Sequence, residues 1–105
     1  MEVAEMTGAI FAQHVNSGFR VQMAPNQVVE MTLVTVTDKG SSPEMEGFSL
    51  NFLAPPDAPI RQGMYRMAHE MLGEFDLFIV PIGRDARGVT YEAVFARGRR
   101  RPKSD

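Results

Sequence analysis

The stretch "RMAHEMLGEFDLFIVPIG", residues 66–83, decides the fold, because it joins two apolar strands across a short gap. Residues 63–69 alternate between the two faces of an extended chain, which is the period of a β-strand. Residues 75–82 are apolar on both faces apart from Asp76, which is typical of a strand that is covered twice. The gap between them contains Gly73 and has the length of a hairpin loop. We therefore predict a β-hairpin whose second strand is central.

The adjacent His69 and Glu70 raise the question of a metal or catalytic site in this hairpin. A zinc protease needs His-Glu-x-x-His on a helix, whereas position 73 is a glycine and the other histidine, His14, is distant in sequence. Adjacent side chains on a strand point to opposite faces, so this pair cannot grip one ion. We predict that the pair belongs to a turn and binds no metal.

The same alternation recurs along most of the chain, with turn residues in every gap. Residues 28–38 contain a change of apolar face after Leu33; a β-bulge produces such a change, and a strand end buried on both faces is the alternative. Three prolines within residues 54–59 exclude regular structure there. Besides 63–69 and 75–82, strands are predicted over 19–23, 28–38, 48–52 and 89–97.

One short helix is predicted before the first strand. Thr7 is a suitable cap, and an apolar stripe that includes Phe11 and Val15 extends to about residue 15. The sequence "NSG" at 16–18 ends the helix, since Gly18 can take the left-handed conformation.

Six strands at intervals of about ten residues predict a mainly β protein. No strand–helix–strand alternation is present, so a parallel sheet is not expected. We predict a six-stranded antiparallel meander, closed as a small barrel or folded as a sandwich. The length of 105 residues indicates one domain, assigned to residues 1–97, with a basic C-terminal tail at 98–105.

Charge is divided unevenly along the chain. Residues 1–96 hold six basic and twelve acidic side chains, whereas "RGRRRPKSD", 97–105, holds five basic and one acidic. Arg99, Arg100 and Arg101 are therefore predicted partner contacts, for which the acidic body of a second copy is one candidate. A solvated chain end is the default alternative. Nucleic-acid binding is less expected, because no aromatic residue lies among these cations to stack on a base.

Several classes of function lack their sequence features. The absence of cysteine excludes thiolate nucleophiles and Cys-based zinc sites, and no phosphate loop, dinucleotide fingerprint or nucleophile elbow is present. We predict no catalytic residue, no cofactor and no enzymatic activity. No apolar run reaches the roughly 18 residues of a membrane span, and the N-terminus lacks the basic region of a secretion signal. The expectation is synthesis in the cytoplasm, without membrane association.

The predicted hairpin carries more apolar surface than one small interior can hold. Met64, Phe78 and Val80 lie opposite the residues assigned to the core, so either the N-terminal helix or another chain must cover them. We predict that these three residues contact a protein partner or a second copy. The expected function is a non-enzymatic protein–protein interaction or assembly module. A barrel that binds a small apolar or anionic ligand is the alternative.

Three motifs also resemble a family of small bacterial proteins known only as a domain of unknown function. They are Gln-Gly-x-Tyr-x-x-x-His at 62–69, Leu-Gly-x-Phe-x-Leu-Phe-x-Val-Pro at 72–81 and Tyr-Glu-Ala-x-Phe at 91–95, together with "FSLNF" at 48–52. The resemblance implies no catalytic residue. The resemblance also implies an association with phage-tail-like or surface assemblies, but it identifies no particular partner. The "RGRRRPKSD" end is not part of the pattern.

Overall fold

A short helix precedes six β-strands in the computed structural model, which describes residues 6–98. All six strand pairings are antiparallel. The predicted fold class is thus confirmed as mainly β, with one N-terminal helix. In chain order the elements are α1 (Gly8–Ala12), β1 (Gly18–Ala24), β2 (Gln27–Asp38), β3 (Met45–Ala54), β4 (Gly63–His69), β5 (Gly73–Asp85) and β6 (Gly88–Gly98).

The strands form one sheet that closes into a ring in the order β1-β2-β3-β6-β5-β4. A sandwich would need two sheets, and the described residues contain one. The order also differs from that of a plain meander, in which β4 would lie beside β3 and β6 would close on β1. Instead two three-stranded units meet at the β3–β6 and β1–β4 pairs.

The connection between β3 and β4 explains this order. Its three prolines remove donors for a strand ladder, so the chain crosses the end of the ring and does not turn back beside β3. Ala58 is buried there. The Tyr91 hydroxyl donates to the Pro59 carbonyl, and the Tyr65 hydroxyl donates to the Arg61 carbonyl at 2.9 Å. Tyrosines of β6 and β4 thereby fix the connection across this end.

Alternation places one face of every strand inside the ring, as predicted. Tyr65, Met67, Leu77 and Ile79 are all buried. The pairing of β2 with β3 shifts between Leu33 and Thr35, so the predicted β-bulge is confirmed. Val34 is the extra residue and is 39% exposed, and Thr35, Thr37 and Asp38 after it are exposed, so the strand end is not buried on both faces.

Helix α1 closes the opposite end of the ring. The Thr7 side chain accepts a hydrogen bond from the Ile10 amide, which confirms the predicted cap. The helix ends at Ala12 and not near residue 15, and Asn16, with φ 72°, takes the left-handed conformation that was predicted for Gly18. The reason is that the Asn16 amide donates to the Leu33 carbonyl at 2.7 Å, which fixes the turn two residues earlier.

Strand β5 is not covered on both faces, and that prediction is wrong. Its inner residues, such as Phe75, are buried, but Phe78 on the outer face is 47% exposed. A closed ring has a single interior, and α1 packs at its end. There Phe11 lies 5.9–6.3 Å, between ring centroids, from Phe48, Phe75 and Phe95. Among the described residues, nothing covers the outer face of β5.

Candidate interaction surface

An apolar patch lies on the outer face of the β4–β5 hairpin. Met64 and Phe78 are direct neighbours in the strand pairing. Val80, two residues further along β5, lies on the same face and is half-buried, while Ile82 beyond it is 51% exposed. Met64 itself is 64% exposed. We call Met64, Phe78, Val80 and Ile82 the β4–β5 patch; it contains three of the six residues that the sequence predicted as partner contacts.

Sequence reasoning did not name Ile82, although alternation from Phe78 through Val80 places it on the same face. The pairing of β5 with β6 shifts between Pro81 and Gly83, so Ile82 is an extra residue in the strand. Proline inside a strand is confined to edges and bulges, so Pro81 was the sequence signal for this bulge.

Charged side chains adjoin the patch on the same two strands. Arg66 and Asp76 are the next outward-facing pair after Met64 and Phe78, and their side chains approach to 3.4 Å. Arg66 also contacts Glu74 at 3.5 Å. All three side chains are more than half exposed, so these ion pairs contribute little to the stability of the single chain. The outer face of the hairpin is thus apolar in one half and charged in the other.

His69 and Glu70 lie in the turn that joins β4 to β5, as the sequence predicted. His69 Nδ1 accepts hydrogen bonds from the backbone amides of Met71 at 3.0 Å and Leu72 at 3.2 Å. Gly73, with φ 80°, completes the turn. Glu70 is exposed, whereas His69 is buried. The imidazole therefore acts as an acceptor for the turn that "HEMLG" forms.

These bonds fix the tautomer of His69. Because Nδ1 accepts, the ring proton is on Nε2, which donates to Ser17 Oγ at 2.8 Å. Ser17 Oγ in turn donates to the His14 carbonyl. Burial, and secondarily the nearby His14, lower the pKa of His69. An imidazole protonated on Nε2 cannot take the proton of Ser17, so this contact does not have the geometry of an activated nucleophile.

The structure brings together two histidines that are distant in sequence. The ring centroids of His14 and His69 are 4.8 Å apart. Within residues 6–98, no group of three or more His, Cys, Asp or Glu side chains is arranged to hold a metal ion. That His69 and Glu70 bind no metal stays a prediction. Stoichiometric zinc in the purified protein, lost in His69→Gln, would contradict it.

Arg97 belongs to β6, although its position in the sequence groups it with the basic end. Its guanidinium lies 5.0 Å from the Phe95 ring centroid and 5.7 Å from that of Phe48. It donates to the Met6 carbonyl, and its Nε lies 3.8 Å from a carboxylate oxygen of Glu46. Arg97 thus ties the entry of α1 to the end of β6. The predicted contacts Arg99, Arg100 and Arg101 lie outside the described residues.

A cleft of about 570 Å³ lies outside the ring, between α1 and the β2–β3 hairpin. The ring interior itself is filled by large side chains, among them Phe19, Phe52 and Tyr91. The cleft has an apolar wall and two carboxylates, provided by Ala9, Ala12, Val36, Phe48, Asp38 and Glu46. Space for a small ligand is therefore available beside the helix.

Helix α1 has five residues, and no helix in the described part of the chain is long and apolar enough to cross a membrane.

Comparison with known families assigns the chain to one family. Residues 6–95 match the family described as Domain of unknown function (DUF6916), and the chain belongs to that family. No curated protein and no solved structure matches the chain.

Proposed function

We propose that this member of the DUF6916 family is a non-enzymatic protein–protein interaction or assembly module that binds through the β4–β5 patch. The observation that carries the proposal is the exposure of Met64 and Phe78, which are adjacent in the strand pairing, and of Ile82 further along β5. Contiguous apolar surface of this kind marks interaction sites on small proteins, whereas isolated exposed apolar residues need no explanation. Synthesis in the cytoplasm is part of the same proposal.

The energetics support an interface at this position. Full burial of a large apolar side chain is worth roughly 1.5–3 kcal/mol. Met64, Phe78 and Ile82 are 64%, 47% and 51% exposed, so a partner that covers them gains a part of this from each. The neighbouring Arg66 and Asp76 supply the polar rim that stable interfaces have around an apolar centre.

The absence of catalysis is supported by the state of the Ser17–His69 contact. His69 donates its Nε2 proton to Ser17 and uses Nδ1 for two backbone amides, so both nitrogens are engaged in hydrogen bonds within the fold. A general base would need one of them free to accept a proton from a reacting group.

Site-specific photo-crosslinking tests the proposal. A photoreactive phenylalanine analogue at position 78, in cells that express the chain at its natural level, should yield a defined protein adduct. The same analogue at Val28 is the matched control, because Val28 is also an exposed apolar strand residue but lies on β2, across the ring from β5. No adduct at position 78, or equal adducts at both positions, would contradict the proposal.

The second candidate function, small-ligand binding, rests on the cleft beside α1. Because side chains fill the ring interior, a ligand would lie in this external cleft, against Ala12 and Phe48. An apolar fluorescent probe should bind the wild-type chain, lose binding in Ala12→Glu and keep it in Phe78→Gln. Equal binding to all three proteins would remove the support for this candidate.

A further inference from the structure

We infer that the β4–β5 patch binds a second copy of the same chain, about a two-fold axis that lies between the two facing hairpins and runs parallel to their strands. This inference rests on the proposed function, because it names the partner of the same surface. It follows from the order in which apolar and charged residues face each other across the hairpin.

The outer face of the hairpin carries two rows of complementary pairs. In the first row Met64 on β4 lies beside Phe78 on β5, and in the second row Arg66 lies beside Asp76. Successive outward residues on a strand are two positions apart, so both rows project from the same face. The cation is on β4 and the carboxylate is on β5.

A two-fold axis parallel to the strands exchanges β4 and β5 between the copies and keeps each row at its own height. Met64 of one copy then faces Phe78 of the second copy, and Arg66 faces Asp76 of the second copy. The contact between Arg66 and Asp76 of the other copy thus occurs twice in the dimer, and so does the contact between Met64 and Phe78. Two sheets packed face to face lie about 10 Å apart, a distance that these long side chains can span.

Other two-fold arrangements of the same face lack this match. An axis perpendicular to the strands and between the two rows would place Met64 against Arg66 and Phe78 against Asp76. The apolar side chains would then bury charges that have lost water and gained no partner, which is costly. The complementarity of the surface therefore selects the axis parallel to the strands.

The two rows have different effects on association. The apolar row supplies most of the affinity, since exposed ion pairs add little. The charged row supplies orientation and specificity, because like charges placed across an interface repel. Charge substitutions in the second row should thus control which chains associate.

Paired charge substitutions test the inference by sedimentation at low ionic strength. The wild-type chain of 11.7 kDa should show twice its monomer mass at high concentration. Arg66→Asp and Asp76→Arg should each dissociate at least about tenfold more readily, because each creates two like-charged contacts. An equal mixture of the two variants should regain the wild-type affinity, since every contact across the axis is again between opposite charges.

Asp85 and Arg87 provide the matched control. They form an exposed ion pair at 3.1 Å in the β5–β6 turn, outside the patch. Asp85→Arg and Arg87→Asp change the net charge by the same amounts, so any association due to net charge alone should also occur in their mixture. Circular dichroism and thermal unfolding of all four variants confirm that each remains folded.

Three results would overturn the inference: a monomeric wild-type chain, unchanged association of Arg66→Asp, or a mixture that associates no better than its components. The first result combined with a heterologous adduct at position 78 would leave the proposed function standing, with another protein as the partner. A monomeric chain that also gives no adduct at position 78 would reject both.

Discussion

At the scale of single residues, the fold depends on side chains whose partners are backbone groups. His69 accepts two amide hydrogens and donates one proton to Ser17, so it connects the β4–β5 turn to the segment between α1 and β1. Protonation of Nδ1 would remove both acceptor interactions. The folded chain therefore favours the neutral form of the His69 imidazole.

We predict that His69 makes the stability of the fold sensitive to acid. Because its pKa is lowered in the folded chain, the unfolded chain binds more protons just below about pH 6.5. Wild-type stability should therefore fall as the pH drops below that value and level off below the folded pKa. His69→Gln should be less stable at pH 7 by about 1–2 kcal/mol, with a weaker pH dependence. Urea unfolding at pH 7.5 and 5.5 measures both, and equal acid sensitivity of the two proteins would contradict the prediction.

Gly88 is predicted to tolerate no side chain. Its φ is +148°, and a Cβ atom would lie 1.8 Å from the Ala54 carbonyl oxygen. That oxygen belongs to the backbone and cannot move aside, so Gly88→Ala should destabilise the fold by at least about 2 kcal/mol.

Gly83 is the control for this substitution, since a Cβ there meets nothing within 4 Å. Gly83→Ala should change the free energy of unfolding by less than about 0.5 kcal/mol in the same denaturant titration. Similar effects of the two substitutions would show that the approach to Ala54 is not limiting.

At the scale of elements, the ring is closed at each end by a segment that is not a strand. The proline-rich connection covers one end and is held by Tyr65 and Tyr91. Helix α1 covers the other end and is held by Phe11 and by Arg97. Both closures use an aromatic or cationic side chain that reaches from a strand to a backbone carbonyl.

Arg97→Gln should loosen α1 without unfolding the ring. The substitution removes a charged donor to Met6, the contact with Glu46 and the cation–π contacts, for a cost of about 1–2 kcal/mol. Amide hydrogen exchange should rise mainly in residues 8–12. Arg87→Gln, in the exposed turn, should change neither stability nor exchange in α1. Uniformly faster exchange across all strands in Arg97→Gln would contradict a local role.

Local sequence features predicted the elements well, because each is determined by neighbouring residues. The cap at Thr7, the bulge after Leu33 and the inward residues of each strand follow from residue type and periodicity. The strand order did not follow, since alternation specifies which face is buried but not which strand lies alongside. For the same reason the sequence did not place His14 beside His69 or Arg97 beside Met6.

At the scale of the whole molecule, two sets of charged residues are expected to make association sensitive to salt. The basic residues Arg99, Arg100 and Arg101 lie outside the described residues, and their contact with the acidic body of a second copy stays a prediction. The charges of the β4–β5 hairpin act at the proposed two-fold interface. Salt screens both, whereas the apolar row is insensitive to screening.

Removal of residues 99–105 separates the two contributions. The truncation retains Gly98, which pairs with Met45 in the sheet. If the basic residues bind a second copy, the truncated chain should associate less well than the full chain at 20 mM salt, by roughly tenfold, and equally well at 500 mM. Sedimentation at both salt concentrations gives the comparison. Equal association at low salt would exclude this role, and salt-sensitive retention of RNA or DNA lost on truncation would assign the basic residues to nucleic acid.

The hydrogen bond between Arg97 and the Met6 carbonyl has a consequence for the order in which the strands can be connected. It places the first and last described parts of the chain side by side, at the end of the ring that α1 closes. A short linker from Gly98 to Met6 and a new opening in the exposed 85–88 turn would give a circular permutant with all six strand pairs still available. The point at which the chain begins is thus separable from the arrangement of its strands.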